Sequence, residues 1–581
     1  MHNIRGKLLA SIESGNFLDV ATEIYEGDYD NHTLVGKEVA TLHNESYLDA
    51  NVEFLNLKND EDNHGFFTTR NVYQDALIDI EAPVVDVMRC VKHLTEEAGQ
   101  DMAAGFLFPT FTDFCEVNLV RAKEVLDLAI HDQESWRDFI SPAIIAGARS
   151  NLKEYVSLAI KSSECKNVEI RSRAIFSMGR IDYGDGLDTV AMVFSAILTA
   201  VKNTRNDQVF SSALKSTFSL YKKYQYKGDE VTDIFSIILA NPEDITLYTA
   251  SEIFMLEKSD IPEFLVKRLL TVFRTVNVEH GGTLRNLDFG LSFLLENGKG
   301  RGAIELIEFL LLTFGKEFPL GAFKSLSREI VKNKDNIFSW TVTRWLLSGS
   351  YILRHSSLNL VKNNLDNKTE LSADLTLLNG EANKQYLLLA ERSCGWFFEN
   401  PVLVVSYIFS LIEVSTEEEI KEITDILFYP LLISYAESVK EYLENLPRDI
   451  LNRQVAVADD LLERLSNYHY GLESVREMKE LKPSIEQREA YSRAFNKKMD
   501  ASYKESQKDS IFGDVFGKPK VLLYGNSSIH YIQQGKEGGP IRQETPMHSI
   551  STSIEFPSLE YLDPHSLDHM LLKFKFSGCT E

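Results

Sequence analysis

Between residues 150 and 315 the apolar positions recur every three to four residues, in segments that follow one another at a nearly constant interval. A spacing of i, i+3, i+4, i+7 places one apolar stripe along an α-helix, so the region reads as a succession of amphipathic helices. One set begins with Val190, Val193, Phe194, Ile197, Leu198 and Val201, and its counterparts start at Val231, Val266 and Ile304. A second set, 168–181, 207–220 and 244–257, centres on Ala174, Ala213 and Ala250, with Leu287 next in register. The offsets within the two sets are 41, 35 and 38, and 39, 37 and 37 residues. Two interleaved helix sets sharing one period predict a stack of helix pairs. The small alanines allow close approach, and no pair buries both of its faces alone.

The spacing, together with the helix VEIRSRAIFSMGRI (168–181), resembles the HEAT and armadillo class of α-solenoids over about 165 residues. The resemblance implies an extended surface that holds other macromolecules and implies no chemistry. The expected fold class is mainly α, an α-solenoid of helix-pair repeats with a small C-terminal α+β module.

Outside the repeats the pattern loosens. Residues 1–82 form an acidic N-terminal region, mixed or helical, and 83–360 hold the solenoid. The polar stretch 361–384 reads as a linker, because its Asn, Asp, Ser and Gly supply turn chemistry and little core. Residues 385–508 form a second helical block, in which Ser415/Glu418 or Thr416/Glu419 offers a capping box and 484–508 a charged closing helix. From 509 onward glycines separate β-rich runs, and strands are expected near 520–524, 528–533 and 548–556. With a last amphipathic helix, SLDHMLLKFKF, they make up the terminal module of 509–581.

Composition narrows the classes of partner. A net charge of −25 over 581 residues sets a mean field that repels a phosphate backbone, so nucleic acid is disfavoured as a partner. The charge is uneven. Residues 13–62 carry 13 acids and 2 bases, whereas 482–520 carry 9 bases and 6 acids. Five scattered cysteines without a CxxC spacing argue against a disulfide framework or a zinc ribbon and suit a reducing cytoplasm. The first 20 residues lack the apolar core of an export signal, and no apolar run reaches the length of a membrane span.

Three stretches offer chemistry, each beside a plainer explanation. GKGRG (298–302) places Lys299 and Arg301 before a helix, where backbone amides and positive charge suit an anion, but it falls where the other repeats put their internal turn. His565 and His569 stand at i, i+4 with Asp568 between them, a spacing that suits a transition metal, yet Asp563 and Pro564 also make an ordinary helix start. Arg488, Arg493, Lys497, Lys498, Lys504 and Lys508 line the 484–508 helix, as a phosphate contact or as a solvated face. NDEDNHG (59–65) imitates the start of a calcium loop, but Asn71 stands where the bidentate Glu belongs. No nucleophile motif is present and no cofactor is expected. The expected function is a non-enzymatic cytoplasmic scaffold that binds a protein partner on the solenoid surface. One alternative is a subunit of a defence or DNA-processing complex touching nucleic acid through 484–508; another is an enzyme or metal protein with its site near the C-terminus.

Overall fold

The computed structural model describes the chain except residues 1, 28–31, 60–64, 100, 227, 319, 333–336, 365–367, 379–384, 448–451, 479–482, 509–521, 525–526, 534–539, 547–554 and 579–581. It is mainly α-helical. The chain forms two compact units, one of residues 1–310 and 317–326 and the other of 311–316 and 327–581. The division lies upstream of the 361–384 stretch that composition marks as a break.

In the first unit the N-terminal acidic region is helical. Phe17–Gly27, His32–Asn44 and Phe66–Ala76 pack together, and Arg5 bridges Glu38 and Glu45. The periodic region follows as α1 (Ile140–Ser150), α2 (Leu152–Ser163), α3 (Val168–Met178), α4 (Leu187–Lys202), α5 (Asp207–Tyr224), α6 (Asp229–Ile238), α7 (Asp244–Leu256), α8 (Glu263–Val272), α9 (Gly281–Glu296) and α10 (Gly300–Phe314). Helices α1, α3, α5, α7 and α9 pack one on the next, and α4 packs on α6. The residues that define the period are the buried ones. Ala174, Ala213, Ala250 and Leu287 are each fully buried, and Val190, Val231, Val266 and Ile304 are buried in the other set.

Side-chain bonds repeat at nearly the same offset as the apolar pattern. Ser172 and Ser212 share a hydroxyl hydrogen bond at 2.8 Å, Ser211 and Thr249 one at 2.6 Å, and Asn286 donates to Ser251 at 3.1 Å. Helix starts follow the repeat too. The side chains of Asn167 and Asn206 accept from the amides of Ile170 and Val209, capping α3 and α5. Helix α7 has no such cap of its own; Asp207 at the start of α5 reaches across to the amides of Ile245 and Thr246 at 2.7 and 3.1 Å. Close approach is also built in. A Cβ on Gly179 would meet the Ser216 backbone at 2.5 Å, so this position needs glycine for α3 and α5 to touch.

The second unit contains α11 (Ser339–Leu347), α12 (Tyr351–Asn364), α13 (Gln385–Phe397), α14 (Pro401–Ile412), α15 (Glu417–Ile426), α16 (Ala436–Glu444), α17 (Asn452–Ser474) and α18 (Ile485–Lys508). Thr416, rather than Ser415, caps α15, in a complete capping box with Glu419. Residues 371–374, within the stretch that the sequence marks as a linker, are part of the packed structure. Leu371 and Ala373 are buried, and the amides of Leu371, Ala373 and Asp374 donate to the hydroxyls of Ser406, Ser410 and Thr343. Hydroxyls one turn apart on α14 take up backbone groups that a linker would leave to water.

Three short strands, β1 (Leu522–Tyr524), β2 (Ser527–Gln533) and β3 (Pro540–Pro546), pair antiparallel in that order. The third lies at 540–546, with Gln533 paired to Pro540; of the 548–556 that β-propensity predicts as a strand, residues 548–554 lie outside the described residues. The sequence groups the closing helix with these strands; the structure instead packs that helix, α19 (Pro564–Lys575), against α13. Arg392 fixes it there. Its guanidinium, 2% exposed, donates to the carbonyl of Ser577 at 3.0 and 2.7 Å and to that of Ser348 at 3.2 Å. Gly395 permits the contact, since a Cβ there would lie 2.7 Å from the Lys575 amide nitrogen. The mainly α reading therefore holds, while the grouping of strands and last helix in one small module does not describe this packing.

Candidate functional site

In the first unit a groove with a volume of about 570 Å³ crosses α3, α5 and α7. Its walls follow directly from the helix stack. Phe176 on α3, Phe218 on α5 and Leu256 on α7 supply apolar surface, and Leu256 is 62% exposed. Lys215 pairs with Glu252 at 3.0 Å from one helix to the next. Lys222 lies between Glu257 at 2.5 Å and Asp260 at 2.8 Å, and these two carboxylates raise its ammonium pKa above the ordinary value. Asp182, in the turn after α3, accepts from the Gly184 amide, Lys223 and Tyr224, which together bring its pKa down to about 2. The groove is thus apolar at its walls and charge-balanced at its rim. On neighbouring exposed turns stand Ile245 and Tyr248 of α7 and Phe289 of α9.

This arrangement can hold a macromolecular surface through apolar contact and directional ion pairs. Lys215, Lys222 and Lys223 are all paired to carboxylates, while the exposed Arg180, which also lines the groove, lies over the Phe176 ring.

The residues singled out from sequence are dispersed. Lys299 is exposed in the tight turn between α9 and α10, where Gly298 adopts φ +73° and the Lys299 amide donates to Leu294; Arg301 is in the first turn of α10. The stretch takes the place of the repeat's internal turn. His565, Asp568 and His569 are exposed on α19, and Asp563 caps that helix by accepting from the Ser566 amide. Among the described residues no group of three or more His, Cys, Asp or Glu converges to hold a metal. The sheet histidine His530 is described in backbone only; His548 and Cys579, and Asp60, Asp62 and His64 of the calcium-like loop, lie outside the described residues.

On α18, Arg488, Arg493, Lys497 and Lys504 are exposed, Arg493 sits 3.6 Å from Glu489, and the Lys498 side chain is outside the described set. The apolar stripe of α18 is used internally: Tyr491 meets Tyr561 at 4.4 Å between ring centres, and Phe495 meets Phe556 at 5.0 Å. No helix of the described residues is long and apolar enough to cross a membrane.

Sequence reasoning did not find the α3/α5/α7 groove as a site, although it found the helices. The signal was present in the spacing of Lys215 with Glu252 and of Lys222 with Glu257, 37 and 35 residues apart, which brings opposite charges together only once the repeat offset is applied. No protein-family model matches the chain, and no match is found among curated proteins.

Proposed function

We propose that the protein is a HEAT/armadillo-like repeat scaffold that binds a protein partner across the α3, α5 and α7 faces. The observation that carries the reading is the repetition of side-chain bonds at a near-constant offset, 40 residues for Ser172 with Ser212, 38 for Ser211 with Thr249 and 37 for Lys215 with Glu252. Such a stack keeps its core layer while its outer faces vary, which suits recognition of a large surface. The exposed Leu256 and Phe289 are the apolar anchors of the proposed contact.

The test is affinity capture from the native host with the full chain and with Leu256→Asp/Phe289→Asp. Both side chains are exposed, so the variant is expected to melt with the parent. A defined set of proteins should be captured by the parent and lost with the variant. Equal capture by both, or none by either, contradicts the reading.

A second reading places nucleic acid on α18. It is favoured by Lys497 and Lys504, which are exposed and form no ion pair among the described residues. Binding to a labelled duplex should then weaken steeply with salt and vanish with Lys497→Glu/Lys504→Glu. Salt-insensitive or unchanged binding removes α18 from that role.

A further inference from the structure

A cavity of about 710 Å³ opens in the second unit between α14, α16 and the 368–374 segment. Five carboxylates line it, those of Glu370, Glu399, Glu437, Glu441 and Glu555, against the single lining cation Lys368. Two of the five are already used. Glu399 pairs with Lys362 at 3.2 Å, and Glu555 accepts from the amides of Glu437 and Ser438 at 2.8 and 2.9 Å, capping α16. Glu370, Glu437 and Glu441 have no ion-pair partner among the described residues. Glu437 and Glu441 are moreover an i, i+4 pair on one face of α16, where like charges repel.

A second observation comes from the cavity's other polar groups. Tyr435 lines the cavity and is only 3% exposed, yet its hydroxyl makes no hydrogen bond to any described residue. The Tyr435 oxygen is not sealed off: it stays open to the cavity, where an incoming donor can reach it. Burial and the carboxylates of Glu560, Glu399 and Glu555 push its pKa upward, which keeps it a neutral phenol able to accept a hydrogen bond. The remaining wall is aromatic. Tyr442 and Phe409 meet edge to face at 5.8 Å, and Tyr442 is only partly buried.

We propose that this cavity is a binding site for a guanidinium group. Its planar fork of donors can reach carboxylates on two separate segments, Glu370 on one side and Glu437 or Glu441 on the other. Its flat face can lie against Tyr442, and an N–H can satisfy the Tyr435 oxygen. A compact ammonium would offer fewer donors and no flat face. The group is carried either by an arginine side chain of a partner chain or by a free small guanidine. The proposal concerns the second unit and does not depend on the repeat-stack reading.

The test is calorimetric titration of the full chain with methylguanidinium and, separately, with a short arginine peptide blocked at both ends. At least one probe should bind saturably at one site. Tighter binding of the peptide points to an arginine side chain, and equal or tighter binding of methylguanidinium to a free guanidine. Glu437→Gln/Glu441→Gln, both at exposed positions, should weaken binding roughly tenfold or more, equivalent to about 1.4 kcal/mol. Tyr435→Phe keeps the ring against Phe398 and should weaken it several-fold with an unchanged melting transition. The proposal is overturned if neither probe saturates, if the folded glutamine variant binds like the parent, or if tetramethylammonium, which has no N–H donor, competes as well as methylguanidinium.

Discussion

The repeat stack of α3 to α9 and the helical block around α13 are held by contacts of different reach along the chain. In the stack the defining bonds join residues about 35–41 apart, as between Ser216 and the Ile175 carbonyl. Around α13 they join residues 185 and 186 apart, Arg392 and Glu391 with Ser577, and the start of α16 is capped by Glu555 from 117 and 118 residues downstream. Short, repeated offsets print a period on the sequence. Contacts closed once, across nearly two hundred residues, print nothing. The same difference governs energetics: a stacked layer loses only its neighbours when perturbed, whereas removing one distant latch releases a whole segment.

The largest expected effect comes from the latch. Arg392→Ala removes hydrogen bonds to the carbonyls of Ser577, Leu346 and Ser348; the Ser348 carbonyl keeps the Arg354 guanidinium, whereas the Ser577 and buried Leu346 carbonyls lose theirs. The cost is expected at about 3 kcal/mol or more. Hydrogen exchange should show α13 and α19 losing protection together while α3, α5 and α7 keep theirs. Equal loss in both regions would erase the contrast between them.

A smaller effect is expected from overpacking the stack. Ala213→Leu inserts a branched side chain into a fully buried position between helices and should cost about 1–3 kcal/mol. The change in exchange should spread to α3 and α7 and fade beyond them. An effect reaching α13 as strongly as α7 would show that the layers are not coupled chiefly to their neighbours.

The smallest effect is a capping loss. Asp207→Ala frees the amides of Ile245 and Thr246, and a lost helix cap costs about 1 kcal/mol, here charged to α7 rather than to the helix that carries the aspartate. Greater fraying of α5 than of α7 in exchange data would contradict the cross-helix role.

The legible part of the fold follows the same division. Val190, Val231, Val266 and Ile304, and Ala174, Ala213 and Ala250, announce burial because each occupies an equivalent layer, and all of them are buried. The Thr416/Glu419 box is legible because its chemistry is contained in four residues. The linker reading of 361–384 failed at 371–374 because composition records a segment's own polarity and not the Ser406, Ser410 and Thr343 hydroxyls waiting for its amides. The closing helix was assigned to the strands by adjacency, while Gly395 and Arg392, far upstream, determine where it packs. Neither candidate site could be read directly: the α3/α5/α7 groove needs the repeat offset applied to its charges, and the acidic cavity joins residues 370, 399, 435–441 and 555 from four separate stretches.

The stacking of equivalent helices at a fixed offset is tested most directly by a crosslink between two layers. The hydroxyls of Ser211 on α5 and Thr249 on α7 are 2.6 Å apart, so Ser211→Cys/Thr249→Cys places two thiols within reach of a disulfide. Mild oxidation of the full chain, followed by peptide mapping in a mass spectrometer, should recover the 211–249 linkage within one chain, with neither single variant giving it. Two free thiols at these positions after oxidation would contradict the stack.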